Sequence, residues 1–413
     1  MNNLAERVAC LCCDKYDSLK KTGKPKENEW TVLAGIVLKD STQTLSVISL
    51  ATGTKCLSGT ELMDVEKWEC GSRLSDSHAE VLARRAFQRY LYNQLDLVLR
   101  NKSSNIFEHN ESRKIILKEN VSFHYFCSQT PCGDCSIFPQ TDDELVPTDE
   151  SCVKRRRIDI GEARGACTLT SNVASRESNT YVDIHRTGAK CVSTEKEQDL
   201  YHPGLNYHVI GPLRIKPGRG DRTLSMSCSD KLAKWNAIGI QGALLSRLVP
   251  PIRIDTICIG GQCPFSEAAM RRGVHERFAD VAHCPDIVQS EKGFAHRKQT
   301  TRTRPCPSSI IWCAVPGRQL EVSVDGRKQG VTKKKARGNY LTISRRELFS
   351  TFLKIVDEFD KIENGEKNHP KKITYHHAKQ SSTTYQRSWQ KLKFGSFQAW
   401  PDKPTHLQEF VLF

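Results

Sequence analysis

The chain has 413 residues, with 62 Lys and Arg against 47 Asp and Glu, giving a formal net charge of +15 at pH 7. No run of about 18 apolar residues occurs, which excludes an apolar membrane-spanning helix. Seventeen Cys at irregular spacing favour free thiols and a metal site in a reducing compartment over a disulfide framework. The basic excess favours a polyanionic partner such as nucleic acid.

The first part of the chain predicts a helix, a hairpin and a second helix. Residues 1–28 form an amphipathic pattern followed by a connector, and they lack the apolar segment of a secretory signal. We therefore expect an intracellular protein, nuclear or cytoplasmic. Apolar and β-branched runs at 30–38 and 44–51 predict a hairpin. A helical pattern over 81–99 and a strand at 121–128 follow.

Two short motifs carry the chemistry. His78 and Glu80 lie two residues apart at the start of the helix at 81–99, so an imidazole could bind a metal while the carboxylate moves protons on an attacking water. Cys132 and Cys135 follow Pro131 and the strand at 121–128, where we expect another helix to begin and to favour thiolate. His-x-Glu followed by Pro-Cys-x-x-Cys is the zinc nucleobase-deaminase signature, in which both cysteines bind zinc.

The pattern weakens between residues 140 and 206, which we interpret as a mobile insertion within a single domain covering 1–413. The basic run at 154–157 fits nuclear import, a phosphate contact or a solvated surface. The remainder predicts an α/β fold with a central sheet between helices. Order returns at 207–213. Strands are then expected at 252–259, 309–315 and 320–324, and helices at 229–248, 265–279, 345–362, 377–391 and 397–403.

Two cationic residues lie at helix positions where a charge is unfavourable unless it has a partner. Arg84 falls within the apolar stripe of its helix, and Lys231 lies in the first turn of the helix predicted at 229–248, where it opposes the helix dipole. An unpaired buried charge is very costly. We therefore expect an acid or a bound anion near each of them.

At this point the chain resembles the RNA adenosine deaminase (editase) family. The resemblance rests on His78-Ala79-Glu80, Pro131-Cys132-Gly133-Asp134, Ser227-Cys228-Ser229-Asp230-Lys231, Lys234-Trp235-Asn236, Gly239-Ile240-Gln241-Gly242, Tyr375, Lys379, Tyr385 and Ala399-Trp400. It covers the chain from about residue 30 to 403, with the segment 140–206 outside the matched motifs. It implies a cytidine-deaminase-like mixed sheet flanked by helices and an extended helical C-terminal half enclosing a buried polyanion.

The resemblance also changes the expected metal ligands. Editases take the third ligand from the later Ser-Cys-Ser-Asp-Lys motif, which implies Zn2+ on His78, Cys132 and Cys228, with Cys135 not a ligand. Glu80 is then the catalytic residue, carrying the proton of the attacking water to N1 of adenine and on to ammonia. No motif pairs the remaining thiols with a metal ligand or with one another, so they are expected in the core or at the surface. They include Cys258, Cys263, Cys306 and Cys313.

Editases enclose inositol hexakisphosphate, and the resemblance implies the same ligand here. Ser75 stands where editases usually have Asn, and Trp389 stands where they usually have Lys, so the edge of the coordination is expected to differ. The expected contacts are Arg84, Arg85, Lys231, Lys234, Trp235, Gln241, Arg345, Tyr375, Lys379, Tyr385, Trp400, Asp402 and Lys403.

Within the family, the deaminase strands begin near residue 30, which leaves no room for a preceding double-stranded-RNA-binding module. We therefore expect a tRNA substrate, bound at its anticodon stem-loop, with the reacting adenosine 3′-adjacent to the anticodon of alanine tRNA and no obligate protein partner. Phosphate contacts are expected from Lys216, Arg219, Arg222 and the run 333–337. The alternatives are deamination of other structured or double-stranded RNA, a small-nucleoside or cytidine deaminase, and a catalytically silent RNA-binding relative.

Overall fold

The computed structural model describes residues 2–63, 69–139, 184–185, 187–192, 209–217, 222–278, 281, 283–332, 337–364 and 373–412. The helices are α1 Asn2–Ser18, α2 Gly59–Met63, α3 Ala79–Leu99, α4 Cys228–Ile238, α5 Glu267–Arg271, α6 Arg345–Asn364, α7 Tyr375–Gln380 and α8 Thr383–Phe394. None of the described helices combines the length and apolarity needed to cross a bilayer.

The described strands range from two to eight residues. They are β1 Glu29–Trp30, β2 Leu33–Lys39, β3 Leu45–Thr52, β4 Thr54–Cys56, β5 Asp76–His78, β6 Phe107–His109, β7 Ile115–Leu117, β8 Ser122–Cys127, β9 Phe138–Pro139, β10 Ile184–His185, β11 Lys190–Cys191, β12 Arg214–Pro217, β13 Arg222–Met226, β14 Thr256–Gly261, β15 Asp286–Gly293, β16 Arg304–Pro305, β17 Ser308–Cys313, β18 Leu320–Val324 and β19 Arg327–Lys328.

The central sheet has eight strands in the order β15-β14-β8-β2-β3-β17-β18-β19. Strands β8, β14 and β15 are parallel, whereas β2, β3, β17, β18 and β19 pair antiparallel with their neighbours. The expected mixed sheet flanked by helices is therefore confirmed. Both β8 and β14 point their carboxyl ends to the same edge of the sheet, where ligands of α/β proteins commonly bind.

Helices cover both faces of the sheet, and alternate side chains of β2 point into the core on each face. Leu33 and Val37 pack against α1, whereas Ala34 and Ile36 pack against α3. Helix α3 in turn lies against α6. A third core joins β12, β13 and α4 to the C-terminal helix α8. The segment that carries His78 and Glu80 is thereby fixed to the most buried part of the fold.

The helix predicted at 229–248 is wrong in its C-terminal half. Helix α4 ends at Ile238, and Gly239 and Gly242 follow with φ of 91° and 83°, which a right-handed helix cannot accommodate. The apolar stripe continues beyond the helix because Leu244 and Leu245 still pack into the main core from turns. Periodicity alone therefore overestimated the length of this helix.

Other boundaries also differ from the predictions. The helix predicted at 377–391 is two helices, α7 and α8, and 397–403 forms turns rather than a helix. The helix predicted at 265–279 consists of α5 followed by a π-helix, Arg272–Glu276. Where order was expected to return, the described residues 209–213 have irregular backbone that leads into the strand Arg214–Pro217. Strand β15 was not predicted because it is a largely polar edge strand.

The segment 140–206 is only partly outside the fold. Its described residues include β10, which pairs with β9, and β11, which pairs with β12. Ala189 and Cys191 are buried. Residues 184–192 therefore belong to the packed domain where they are described, which corrects the predicted boundary of the insertion. The basic run at 154–157 lies outside the described residues.

Candidate active site

His78 and Glu80 lie where a short strand turns into the central helix. Strand β5 pairs with β4, and His78 ends β5 with extended backbone angles before α3 begins at Ala79. Glu80 in the first turn is 3% exposed, and its Oε2 has no hydrogen-bond partner among the described residues. A buried carboxylate oxygen without a partner is costly, so its position is explained better by a reacting group than by packing.

The two cysteines of the site reach it from different elements. Cys228 opens α4 directly after the N-cap Ser227, whose side chain accepts a hydrogen bond from the amide of Asp230. Cys132 lies after β8 in a loop that leads to a single 3-10 turn, Asp134–Ser136, so the helix predicted to begin there is wrong. The amide of Cys228 donates to Sγ of Cys132 at 3.4 Å. The N-terminus of α4 therefore supports both sulfurs.

His78, Cys132 and Cys228 form a group that could hold a metal ion. Their nearest ligand atoms all lie within 4.8 Å of one another. Nδ1 of His78 is 4.0 Å from Sγ of Cys132 and 3.6 Å from Sγ of Cys228. A hydrogen bond from Cys228 lowers the pKa of the Cys132 thiol, and the His78 charge lowers it further. A thiolate is the form that binds a metal.

Cys135 faces away from this group. Its Sγ lies 3.9 Å from the carbonyl oxygen of Met270, and burial raises its pKa to about 12. A Cβ on Gly273 would lie 2.3 Å from that sulfur, so the thiol fills the space that this glycine leaves. Cys258, Cys306 and Cys313 are buried and Cys263 is half-buried, away from the His78 group.

Asp76 separates the metal-binding group from a basic cavity. It is 5% exposed, and its carboxylate accepts two hydrogen bonds from Nζ of Lys216 at 2.8 and 3.0 Å and one from Nζ of Lys231. Its other contact is with the backbone amide of His78, 3.0 Å from Oδ1. Although burial opposes ionisation, the two lysines hold the pKa of Asp76 well below its usual range.

The acid expected near Lys231 is therefore Asp76, which sequence reasoning had given no role. Lys216 is 0% exposed, so the prediction that it contacts phosphate at the surface is wrong. Despite its burial, the charge of Asp76 keeps the pKa of Lys216 well above its usual range. The available signal was that Asp76 lies two residues before His78 of the His-x-Glu motif, since a buried acid there needs a cation.

Beside Asp76 lies a cavity of about 680 Å³. Its lining includes nine Lys and Arg side chains but only two acids, Asp76 and Asp402. Twelve of the thirteen residues expected at a polyanion line it, together with Ser75 and Trp389. They are Arg84, Arg85, Lys231, Lys234, Trp235, Arg345, Tyr375, Lys379, Tyr385, Trp400, Asp402 and Lys403.

Gln241 is the expected contact that does not line the cavity. Its Oε1 accepts from the amide of Ile252 at 2.9 Å, and Nε2 reaches the carbonyl of Ile238 at 3.5 Å. The side chain therefore stabilises the turn that follows α4. The neighbouring Gly242 does line the cavity, and a Cβ there would lie 2.7 Å from Nη2 of Arg84.

The cationic side chains of the cavity depress one another's ionisation. Burial lowers the pKa of Arg85 to about 9, and the charge of Arg345 adds to this. The charge of Arg345 also lowers the pKa of Lys403. Nη2 of Arg85 is buried without a hydrogen-bond partner among the described residues. These donors have a chemistry that suits several anionic oxygens.

Two tryptophan rings of the cavity pack against the side chain of one lysine, Lys234. Nζ of Lys234 lies 3.2 Å from the ring centroid of Trp389 and 5.0 Å from that of Trp400. Burial lowers the pKa of Lys234, with Lys379 and Arg84 adding to the effect. Lys393, one turn after Trp389 on α8, pairs with Asp402 at 2.6 Å. The ring of Trp389 thus packs against the ammonium of Lys234, whereas editases usually have a Lys at the position of Trp389.

The other residues expected to contact phosphate are not assembled into one surface by the described structure. Arg222 is half-buried, and its Nη1 lies 3.4 Å from the carbonyl of Val192. Arg337 is exposed. Arg219 and residues 333–336 lie outside the described residues.

A mixed sheet that brings a His/Cys/Cys group to a buried Glu is the arrangement of metal-dependent nucleobase deaminases. The chain belongs to the adenosine-deaminase (editase) domain family, whose model matches residues 49–404. The resemblance drawn from the motifs is therefore confirmed.

Several curated relatives are similar over nearly the whole chain. The tRNA-specific adenosine deaminase 1 of Drosophila melanogaster is 37% identical over 98% of this chain and 96% of its own length. Those of Mus musculus and Homo sapiens are 34% and 33% identical, each over 98% of this chain and 99% of their own length. The double-stranded RNA-specific adenosine deaminase of Mus musculus is 28% identical over 85% of this chain but only 28% of its own length.

Proposed function

We propose that the protein deaminates adenosine to inosine in tRNA by a zinc-dependent hydrolysis. The observation that carries the proposal is the juxtaposition of the His78, Cys132 and Cys228 ligand atoms, within 4.8 Å, with the buried Glu80 two residues after His78, whose Oε2 has no hydrogen-bond partner in the described part of the chain. Relatives similar over their full length bear the name tRNA-specific adenosine deaminase 1. They support tRNA as the substrate class.

The spacing of the ligand atoms fits Zn2+. Tetrahedral zinc with Zn–S of about 2.3 Å and Zn–N of about 2.1 Å separates nitrogen from sulfur by roughly 3.6 Å. The corresponding distances from His78 are 3.6 Å to Cys228 and 4.0 Å to Cys132. Three protein ligands leave one position open, as in catalytic zinc sites. When bound there, the metal would lower the pKa of water to about 7.

Glu80 is the group that would move protons in this reaction. It would accept one proton from the attacking water and donate it to N1 of adenine, then take the proton of the new C6 hydroxyl and pass it to the amino group, which leaves as ammonia while C6 becomes a carbonyl. Its burial, at 3% exposure, places it out of bulk water, where an unpartnered oxygen remains free to take a proton. Such a shuttle is typically worth about 10²–10⁴ in rate.

The reacting base must leave its stack before it can enter such a site. Unstacking costs least in an unpaired loop, which favours an anticodon loop over duplex RNA. An anticodon stem-loop is therefore the proposed substrate, and the resemblance to the tRNA-specific editases implies the adenosine 3′-adjacent to the anticodon of alanine tRNA. The net charge of +15 suits that polyanion.

The test incubates purified protein with a total tRNA pool and with a duplex RNA, then reads adenosine-to-guanosine changes by sequencing. We expect a change at one adenosine of alanine tRNA and none in the duplex. Glu80→Ala should bind zinc at one equivalent and yield no inosine, whereas wild-type-like turnover by this variant would refute the role of Glu80. Conversion of duplex RNA instead of tRNA would replace the substrate assignment.

We further propose that the basic cavity binds inositol hexakisphosphate. Support comes from the nine Lys and Arg side chains against two acids, the unpaired Nη2 of Arg85 and the depressed pKa of Lys234 and Lys403. Six phosphates would offset the mutual repulsion of these cations and accept from their donors. A ligand that binds only the folded state stabilises it.

Denaturing the purified protein in acid and quantifying released inositol phosphates by ion chromatography tests this ligand. One equivalent of the hexakisphosphate is expected. Lys403→Met should lower the amount retained and the melting temperature together. Lys361→Met, which removes an exposed lysine of α6 paired with Asp357, is the matched control and should change neither. Absence of any inositol phosphate from folded wild-type protein would refute the proposal.

A further inference from the structure

Each of the two cysteines of the metal-binding group is followed, two residues later, by a buried aspartate. Asp134 follows Cys132 by two residues, and Asp230 follows Cys228 by two residues. Both aspartates are 0% exposed. Buried carboxylates need cationic partners and hydrogen bonds to remain ionised. The identity of those partners decides what holds the two cysteine segments together.

Two of the cationic partners, Arg272 and Arg277, come from the π-helix Arg272–Glu276 and the residue after it. A third, Arg214 of β12, has its Nη1 3.6 Å from Oδ1 of Asp134, and its backbone amide donates to Oδ2 of Asp230 at 2.8 Å. Nε of Arg272 donates to Oδ2 of Asp134 at 2.8 Å, and its Nη2 donates to the backbone carbonyl of Asp134 at 2.9 Å. Nη2 of Arg277 donates to Oδ1 of Asp230, and its Nη1 lies 4.0 Å from Oδ1 of Asp134. A single guanidinium therefore reaches the carboxylates behind both cysteines.

The π-helix lies directly against the loop that carries Cys132. A Cβ on Gly273 would be 2.3 Å from Sγ and 3.0 Å from the backbone nitrogen of Cys135. Nη1 of Arg277 is itself anchored on the carbonyl of Gly211 at 3.0 Å. Single π turns inside helices occur frequently at functional sites. Here the wider turn brings Arg272 and Arg277 to face the two cysteine segments.

We propose that Arg277, with Arg272 in support, is a positioning residue that sets the separation of the Cys132 and Cys228 sulfurs and so the affinity of the site for zinc. The inference rests on the proposed zinc site and adds a residue to it. Charge-assisted hydrogen bonds from a planar guanidinium fix direction as well as distance. Residues that orient metal ligands in this way typically contribute 10–100-fold to metal affinity.

The test compares Arg277→Met with a matched substitution of an arginine that contacts the other end of α4. Arg253 is also a half-buried arginine, and it donates to the carbonyls of Asn236 and Ala237 at the C-terminal end of α4, far along the helix from Cys228. Arg253→Met therefore removes a guanidinium that contacts α4 without touching either aspartate. General loss of stability should affect both variants, whereas loss of cysteine positioning should affect only Arg277→Met.

Zinc affinity is measured by competition with a chromophoric chelator, and ligand geometry by the visible absorption of the Co2+-substituted protein. We expect Arg277→Met to lower zinc affinity roughly 10–100-fold and to shift the Co2+ bands, with Arg277→Lys intermediate. Arg253→Met should stay within about threefold of wild type with unchanged bands. Unchanged affinity and bands in folded Arg277→Met, or equal losses in Arg253→Met, would overturn the inference.

Two further arms complete the test. If Arg277→Met does not fold, Arg277→Lys and Arg272→Met replace it, and unchanged zinc affinity in both would overturn the inference. Arg272→Met removes the contact on the Cys132 side alone, so a smaller loss is expected. Wild-type protein that binds neither Zn2+ nor Co2+ would instead overturn the proposed metal site, a result separate from any difference between the variants.

Discussion

Replacing Asp76 by Asn removes one charge from between two lysines while keeping the shape of the side chain. Lys216 is 0% exposed, and its ammonium lies 2.8 and 3.0 Å from the two carboxylate oxygens, so it has no access to water. Removing one partner of a buried pair costs about 3–5 kcal/mol. Lys231 is 15% exposed and regains some hydration, so it adds little. We expect Asp76→Asn to lower the free energy of unfolding by about 3–5 kcal/mol.

Urea denaturation followed by circular dichroism measures this change. Glu267→Gln is the control, because its pair with Arg271 has a similar distance of 2.8 Å but is exposed, and about 0–1 kcal/mol is expected. Adding Lys216→Met to Asp76→Asn removes the stranded ammonium and should restore part of the lost stability. A loss below about 1 kcal/mol for Asp76→Asn, or no recovery in the double variant, would refute the reasoning.

The pH dependence follows from the direction of the two pKa shifts. The pKa of Asp76 is lowered in the folded protein, so its stabilisation is complete above the unfolded carboxyl pKa, about 3.9, and is lost as the pH falls below that value. The pKa of Lys216 is raised, so its stabilisation is lost only as the pH rises past about 10.4. The difference between wild type and Asp76→Asn should stay constant from pH 5 to 9 and shrink below about pH 4.

Further substitutions test the cavity and the cysteine assignment. Gly242→Ala places a Cβ 2.7 Å from Nη2 of Arg84 at φ +83°, whereas Gly317→Ala has φ +68° and nothing within 4 Å. Both substitutions should lower the free energy of unfolding by roughly 1 kcal/mol because of the left-handed backbone. Only Gly242→Ala should also lower the amount of inositol phosphate retained, and equal retention by the two variants would contradict the proposed ligand position. Cys135→Ser should keep one equivalent of zinc and Cys132→Ser should lose it, as metal analysis of the folded variants will determine, and the reverse order would refute the ligand set.

The sequence predicted the parts of the site that lie within a few residues of an element boundary. His78 and Glu80 share one helix start, and the strand before Cys132 was evident from its apolar run. The third ligand, Cys228, is 96 residues from Cys132 and follows only from the family resemblance, because spacing alone favoured Cys135. Distance along the chain carries no information about which thiol folds back to the imidazole.

The burial of Lys216 could not be predicted from the pattern of charges in the sequence. In the sequence it belongs to a basic stretch next to Pro217, and such lysines usually reach solvent. In the fold it is buried against Asp76, which lies 140 residues earlier in the chain. Similarly, the stripe that favoured a long helix after Ser229 continues through Gly239 and Gly242, where only the backbone angles reveal the end.

The metal-binding group and the basic cavity are built from the same two helices, which makes their geometries interdependent. Helix α3 carries Glu80 in its first turn and Arg84 of the cavity wall one turn later, while α4 carries Cys228 in its first turn and Lys231 one turn later. Asp76 binds both sites at the junction of these helices. Because neither helix can shift without moving a group in each site, a polyanion that fixes α3 against α4 would also fix the sulfur and carboxylate positions that the reaction needs.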